Sequence, residues 1–433
     1  MIHFFNSKIA SIAKTLFLSY SFYFIYLFVF ILVSYGIIYS TGSKFLNELL
    51  IYFVSFTLSY FILSKKIRFD FVGRIIEKYY VFNSRNERLL NISVYILAFF
   101  VVLFVVFHFW FLGHIPALSS YLSLDYYGIA LIRQSIIEHN STFIKYMCAF
   151  VLKGFLPFLL IYFLFKSKPV FILLTLVAVL YSLALMQKAY IVTVLAPLTI
   201  YAFLNRKYIL TAVLSIIPFI GVYLLVYITN PQLRATEEEI ALYLSDKDST
   251  YLNKMYKDMS ASGIKKNKSA VENLKTATEG VSERVFVTTG KASSYWLELI
   301  PDTFAYAYGC GYKFLAPLLG CDYKEYDYSR KVYDIVYENN AKKGLEGTVT
   351  VASFIYDYAN FGKIGLILSG ILLSVLFLFI QFLFKENVKH LIALNFLNIW
   401  WLSSAYYTTL LLSGGWALLI LLYILFKPQL NKK

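Results

Sequence analysis

The sequence has few acidic residues and few charged residues of either sign. Only 25 of its 433 residues are Asp or Glu, against 40 Lys or Arg, and charged residues make up 15% of the chain. A soluble domain usually carries about 25% charged residues. Apolar residues make up 59% of the chain, which is more than a soluble core could hide from water. We therefore expect most of the folded chain to be surrounded by lipid.

Residue patterns for binding nucleotides, metals and nucleic acids are also missing. Gly309-Cys310-Gly311 looks like part of a dinucleotide fingerprint, but no strand-turn-helix pattern surrounds it, so a turn is favoured. The five histidines have no metal-ligand spacing, and the acidic segment 322–327 is typical of a solvated turn. No basic strip is interleaved with aromatics, as a nucleic-acid module would require. A function without metal, cofactor or nucleic acid is favoured.

Cysteine is scarce as well. Cys148 lies in an apolar run, while Cys310 and Cys321 lie close together in the long region between the later apolar runs. If that region is periplasmic, the two could form a disulfide or remain free thiols.

Long apolar runs are the main positive feature. Backbone N–H and C=O groups need partners in hydrocarbon, so such runs form helices or a closed barrel, and lengths of about 20 residues without alternation favour helices. The sequence predicts an all-α polytopic membrane protein with about ten transmembrane helices, at 16–40, 45–64, 90–112, 142–165, 169–187, 189–204, 208–228, 363–384, 390–411 and 413–426. The two runs that meet at Gln187 and Lys188 could instead form a re-entrant hairpin or one broken helix.

The positions of Lys and Arg orient these spans. Basic segments recur after every second span, for example from Lys65 to Arg88 and at Lys166, Arg206 and Lys385, and such segments stay in the cytoplasm. Both termini are therefore predicted to be cytoplasmic, in a bacterial inner membrane. The segment 229–347 differs, because it carries 16 basic against 17 acidic residues, and we expect it in the periplasm.

This topology divides the chain into three parts. Residues 1–228 hold seven spans and, at 114–141, a short periplasmic amphipathic helix with apolar residues near helical spacing. Residues 229–347 are predicted to form one large, mostly helical periplasmic loop, whose second half is apolar enough to cover a cavity. Residues 348–433 hold the last three spans.

Cations on the outer side are the strongest candidates for a binding site, because a charge at membrane depth is costly and usually functional. A planar guanidinium can also bind a phosphate through two hydrogen bonds. The candidates for pyrophosphate binding are Arg133, Lys153, Lys188, Arg234, Arg284 and Arg330. Structural roles compete with this interpretation: Lys188 could snorkel to the interface, Lys153 could make a buried helix contact, and Arg284 could pair with a nearby carboxylate.

Four short stretches carry a family resemblance. They are 114–118 (His-Ile-Pro-Ala-Leu), the Gln187-Lys188 turn, the stretch from Arg284 to Asp302, and 357–365 (Asp-Tyr-Ala-Asn-Phe-Gly-Lys-Ile-Gly). The last is similar to the Tyr-x-x-Phe-Gly-x-x-Gly signature of the Wzy-type polymerases, which join lipid-linked repeat units of O-antigen and common antigen. The layout of many spans with one large late loop also resembles that family along nearly the whole chain.

The resemblance implies a glycosyltransferase of the membrane-embedded C superfamily. Its substrates would be undecaprenyl-pyrophosphate-linked oligosaccharides, and other expected partners are membrane lipid and a Wzz-type chain-length-regulating co-polymerase. The reaction needs cations for the leaving pyrophosphate and a proton acceptor for the attacking hydroxyl. Arg284 is the expected pyrophosphate contact, and Asp302, Asp357 and Glu283 are the candidate bases, with no cofactor or metal.

Three alternatives remain open. An O-antigen ligase shares the layout, but ligases carry a histidine shortly before the position of Gly362, whereas residues 347–352 read Gly-Thr-Val-Thr-Val-Ala. A flippase for lipid-linked oligosaccharides would predict symmetric halves and short outer loops, and no internal repeat is found. A structural membrane subunit is the third.

Reporter fusions test the predicted topology. A periplasm-active reporter fused at Ser262 should be active, whereas fusions at Asn205 and Lys433 should be inactive, because the basic loops hold those positions in the cytoplasm. The reverse pattern would contradict both the topology and the outward-facing site.

Overall fold

Helices and their connecting turns make up the structure, a computed structural model that describes residues 20–84, 86–138, 141–245, 283, 287–342 and 347–430. No β-strand occurs within these ranges. The longer elements, numbered in chain order, are α1 (Ser21–Thr41), α2 (Leu46–Lys66), α3 (Asp70–Ser84), α4 (Glu87–Leu112), α5 (Pro116–Leu122), α6 (Tyr126–Glu138), α7 (Thr142–Phe150), α8 (Leu156–Phe163), α9 (Lys168–Ala184), α10 (Lys188–Leu204), α11 (Tyr208–Thr229), α12 (Glu237–Ser245), α13 (Thr289–Leu299), α14 (Tyr328–Val336), α15 (Glu338–Lys342), α16 (Ser353–Leu383), α17 (Val388–Trp401), α18 (Tyr407–Leu411) and α19 (Trp416–Leu430).

Six apolar segments in the described residues are helical and long enough to cross a membrane: Ser21–Thr41, Leu46–Lys66, Arg88–Leu112, Thr142–Phe163, Tyr208–Thr229 and Ser353–Leu383. Shorter apolar helices lie at Lys168–Ala184, Lys188–Leu204 and Trp416–Lys427. The prediction of an all-helical chain is confirmed, and the six long helices indicate a membrane protein.

The chain divides into two compact units. The first unit comprises Met1–Arg74 and Val281–Leu410, and the second comprises Ile75–Gly280 and Leu411–Lys433.

In the first unit, α2 and α16 pack side by side through polar contacts. Ser55 Oγ donates to the Ile367 carbonyl at 2.8 Å, Ser374 Oγ to the Phe56 carbonyl at 3.2 Å, and the Tyr60 hydroxyl to Gln381 Oε1 at 2.6 Å. Residue numbers rise together along both helices, so the helices run parallel and both end on the same side. Such hydrogen bonds suit a lipid environment, where apolar burial alone gives helices no reason to associate.

The helices α1 and α13 cross in the same unit at a pair of glycines. A Cβ added to Gly36 would lie 2.8 Å from the Cα of Gly290, so the two backbones are in direct contact. Ser293 of α13 then accepts a hydrogen bond from the Ala352 amide at 3.2 Å, just before α16 begins. This crossing ties the first span to the segment that leads into α16.

In the second unit, the predicted amphipathic helix at 114–141 is two helices. It ends as α5 at Leu122 and restarts as α6 at Tyr126, because Ser123 adopts an extended conformation and its hydroxyl accepts from the Asp125 amide at 3.2 Å. The buried fraction of Asp125 is high, with 8% of the residue exposed. A single continuous helix is therefore wrong for this segment.

The predicted loop 229–347 begins with a capped helix. Thr236 and Glu239 exchange hydrogen bonds between side chain and backbone at the start of α12, which is a capping box. The charged residues from Glu237 to about Met259 are of a kind that predicts one longer helix; the described helix ends at Ser245, and residues 246–259 lie outside the described ranges. Further along, turns and two short 3-10 helices over residues 300–327 separate α13 from α14, and α15 follows α14 after Tyr337.

Candidate functional site

The long helix α16 of the first unit contains one residue with non-helical backbone angles. Gly362 has φ 61° and ψ −139°, so the helix breaks there and then continues to Leu383. Such a positive φ favours glycine. At Gly365 a Cβ would overlap the carbonyl oxygen of Asp357, so the chain after the break returns close to the turn before it. Both positions of the 357–365 stretch therefore require glycine: Gly362 because of its positive φ, and Gly365 because the Asp357 carbonyl leaves no room for a side chain.

Asn360 repairs the hydrogen bonding that the break interrupts. Its Oδ1 accepts from the amides of Gly309 and Gly311, both at 3.1 Å, and its Nδ2 donates to the Tyr356 carbonyl at 2.9 Å. The carbonyls at the end of the first half-helix also find donors, since Ala359 accepts from the Ala307 amide at 3.0 Å. A helix end inside an apolar protein needs such partners.

The segment fastened to α16 in this way carries the disulfide. Cys310 and Cys321 are bonded, with their Cα atoms 5.7 Å apart. The loop between them is thereby closed at its base, while Gly309 and Gly311 hold one end of it on Asn360. The sequence alone allowed a disulfide or two thiols, and the structure has the disulfide.

Asp357 lies at the centre of this assembly. Its Oδ1 accepts from the hydroxyls of Tyr312, at 2.5 Å, and Tyr406, at 2.9 Å, and the two phenol rings stack 5.3 Å apart. The residue is 3% exposed. Its Oδ2 accepts no hydrogen bond from the described residues, although Ser369 is a polar neighbour of the carboxyl. A buried carboxylate of this kind needs such donors to remain stable.

The phenol of Tyr312 is suited to this role. Burial raises the pKa of its hydroxyl, and the nearby carboxylate of Asp357 raises it further. A raised phenol pKa keeps the proton in place at neutral pH, so Tyr312 stays a hydrogen-bond donor.

Tyr308 is an exposed residue of the segment 307–321, which we call the Tyr308 loop. It has φ 46°, a conformation that costs a bulky residue on the order of 1–3 kcal/mol, and 70% of it is exposed. Its amide donates to the Asn360 carbonyl at 2.9 Å, and its ring lies 6.3 Å from that of Tyr306. The hydrogen bond to the broken helix thus holds the backbone of Tyr308 in a strained conformation that leaves its aromatic ring exposed. Phe314, which is 53% exposed, extends the apolar surface of the same loop.

The predicted site residues of the first unit have different surroundings. Asp357 is buried, whereas Asp302 is exposed and within electrostatic range of Tyr358. The side chain of Glu283 is exposed. Arg330 forms an ion pair with Asp327 at 3.7 Å, and its side chain is 65% exposed. Arg284 lies outside the described residues.

In the second unit, Arg234 binds backbone carbonyls. Its guanidinium donates to the carbonyls of Ser120, Tyr121, Ser123 and Ile228, and it lies 5.1 Å from the Tyr121 ring centroid. Three of these carbonyls are at the C-terminal end of α5, where helix carbonyls are short of donors and a cation is favourable. The Arg234 guanidinium therefore stabilises the helix end at residue 123, together with the Ser123 hydroxyl.

Lys188 and Lys153 also occupy irregular helix positions. Lys188 begins α10, and the turn before it is tied to α5 by the Ser120 hydroxyl, which donates to Met186 Sδ at 2.9 Å. The turns bearing Lys188 and Arg234 therefore contact the same short helix. Lys153 lies in the π-helical turn Val151–Phe155, a distortion that is frequent at functional sites. Arg133 is exposed on α6.

Sequence reasoning missed two clusters. One is the pair of tyrosines on Asp357, which lie 45 and 49 residues from it in the chain and had no local signal. The other is in the second unit, where His108 Nδ1 lies 2.6 Å from the Tyr181 hydroxyl, which donates to Cys148 Sγ at 3.3 Å. A histidine inside an apolar run was the available signal for the latter.

Replacing Asn360 by Ala should loosen the loop that bears Tyr308. The Gly309 and Gly311 amides would lose their acceptor, at a cost of about 1–3 kcal/mol, so their hydrogen exchange should become roughly tenfold faster or more. Mass spectrometry of exchanged peptides measures this. Asn398→Ala is the matched control, because the amide of Asn398 bonds to the Leu394 carbonyl within α17. Unchanged exchange at Gly309 and Gly311 would contradict the assignment.

Comparison with known proteins adds no relative. No family model matches this chain, and no curated protein or solved structure matches it significantly. Any function must therefore be argued from the residues themselves.

Proposed function

We propose that this chain is a glycosyltransferase of a bacterial inner membrane that joins lipid-linked oligosaccharide repeat units. The proposal keeps the predicted topology of ten spans with cytoplasmic termini and a periplasmic loop at 229–347. The observation that carries it is Tyr308, an exposed residue whose strained backbone is held by a hydrogen bond to the broken helix α16. Strained backbone of this kind occurs mainly at functional sites.

An exposed aromatic face is suited to an oligosaccharide. A phenol ring offers a flat apolar surface for the C–H face of a sugar and a hydroxyl for hydrogen bonding, so one side chain meets both properties of the ligand. Phe314 adds apolar area on the same loop, and the exposed carboxylate of Asp302 follows α13 nearby in the chain. Apolar area, a polar tip and a carboxylate are what a glycan-binding surface needs.

The reaction would proceed with undecaprenyl pyrophosphate as the leaving group. The acceptor hydroxyl oxygen bonds to the anomeric carbon of the donor, and the bond from that carbon to the pyrophosphate oxygen breaks. The electron pair leaves with the pyrophosphate, whose charge Arg284 stabilises. The hydroxyl proton passes to a carboxylate.

Exposure separates the three candidate bases. Asp302 and Glu283 are exposed, so an acceptor hydroxyl can reach them, whereas Asp357 is covered by Tyr312 and Tyr406. We therefore assign proton acceptance to Asp302 or Glu283. Asp357 is a positioning residue, because it holds the tyrosines that support the Tyr308 loop.

A second candidate function is transport of the lipid-linked unit. Two observations favour it: the helix break at Gly362 and the π-helical turn at the half-buried Lys153, since interrupted helices and cations within membrane spans mark transport pathways. Transport and polymerisation differ in their products, because transport leaves the repeat unit at its original length.

Tyr308→Ala should shorten the glycan ladder in membranes with matched protein levels. Loss of one aromatic contact costs about 0.5–1.5 kcal/mol, so elongation should slow about 2- to 10-fold. Tyr308→Phe keeps the ring and should retain the long ladder. Tyr337→Ala is the control, because Tyr337 is another exposed tyrosine of the first unit. Equal ladders for Tyr308→Ala and Tyr337→Ala would remove the main support for the proposal.

Arg284→Ala should leave single lipid-linked repeats in place of a ladder. Loss of a charge-assisted contact to the leaving group costs on the order of 2–4 kcal/mol, or about 30- to 1000-fold in rate. Arg284→Lys should restore only part of the activity, since lysine lacks the planar fork. Lys342→Ala, at an exposed ion pair with Glu338, controls for loss of a cation. A normal ladder from Arg284→Ala would show that Arg284 has no such role.

A further inference from the structure

The first unit contains a large cavity whose lining residues are distant in sequence from the Tyr308 loop. It has a volume of about 770 Å³ and lies at the ends of α2 and α16, which run parallel. Its lining residues come mainly from the end of α2 and the residues that follow it, the end of α16 and the start of α17. Its volume falls within the range of about 300–1000 Å³ that is usual for ligand sites.

One side of this cavity is apolar. Phe69 packs against Phe379 and Phe382, with ring centroids 5.3 and 5.5 Å apart. Leu63 and Leu378 continue this side onto α2 and α16, two helices long enough to cross a membrane. The apolar wall is therefore continuous with surfaces that lipid chains would contact.

The rim is cationic. Lys65, Arg68 and Lys385 line the cavity with exposed side chains, and none of the three forms an ion pair with a described residue. Lys385 Nζ lies 5.1 Å from the centroid of the Phe382 ring, which joins the cationic rim to the apolar wall. Asp70 is the one carboxylate among the lining residues, so the rim has a net positive charge.

We propose that this cavity binds a phosphate-bearing membrane lipid, with its headgroup on Lys65, Arg68 and Lys385 and its chains along Phe69, Phe382 and Leu378. A soluble anion would use only the cations, and a neutral lipid would use only the apolar wall. Their combination at helix ends matches the chemistry of an anionic amphiphile. Because these cations belong to the segments predicted to face the cytoplasm, the lipid would come from the inner leaflet. This proposal does not depend on the proposed function.

Native mass spectrometry of the full chain in detergent tests the lipid site. The probes are phosphatidylglycerol, phosphatidylcholine and inorganic phosphate, each titrated separately. We expect tight adducts with phosphatidylglycerol alone. The triple variant Lys65→Gln, Arg68→Gln, Lys385→Gln should bind phosphatidylglycerol at least about tenfold more weakly, since each surface cation contributes about fivefold and Asp70 offsets part of the total.

Two further variants make the outcome decisive. Lys44→Gln, Lys291→Gln, Lys313→Gln removes three other exposed cations of the first unit and should bind as the unchanged protein does. Lys65→Arg, Arg68→Lys, Lys385→Arg keeps the charge and should also bind, which excludes misfolding as the cause of any loss. Equal losses from the two triple glutamine variants would overturn the proposal, and so would equal binding of phosphatidylcholine. Tight binding of inorganic phosphate alone would overturn the assignment to a lipid.

Discussion

The first unit depends on how a helix can be broken where water is scarce. A break inside an apolar helix exposes backbone groups that lipid cannot satisfy, and each costs several kcal/mol without a partner. Here the break at Gly362 is satisfied by a second segment, since Asn360 and the carbonyl of Ala359 bind the backbone of residues 307–311. The loop with the exposed Tyr308 is therefore a consequence of repairing α16.

The need for hydrogen-bond partners applies equally to the buried side chain of Asp357. A carboxyl that is 3% exposed requires donors, and Tyr312 and Tyr406 supply them from the repaired loop and from the segment after α17. Three distant parts of the chain thus meet at one oxygen atom. The disulfide between Cys310 and Cys321 closes the loop on its other side.

Hydropathy predicted the helical class, because a lipid environment leaves few other options, and six of the about ten predicted spans coincide with helices long enough to cross a membrane. The 357–365 stretch was also singled out, but through its similarity to a short family signature and not through any prediction of the helix break at Gly362. The partners of Asp357 could not be predicted, because tyrosines are abundant, 38 in all, and nothing local distinguishes two of them. The amphipathic segment was predicted as one helix because Arg234, which binds the carbonyls at its break, lies about 110 residues further on.

The proposed function requires this chain to form a glycosidic bond between two lipid-linked units. The most direct measurement uses the purified full chain in liposomes with a lipid-linked repeat unit, and counts both the bonds formed and the undecaprenyl pyrophosphate released. We expect one pyrophosphate to be released for each new bond, without added metal or sugar nucleotide. Movement of intact units across the bilayer, with no release and no longer product, would contradict it and favour transport.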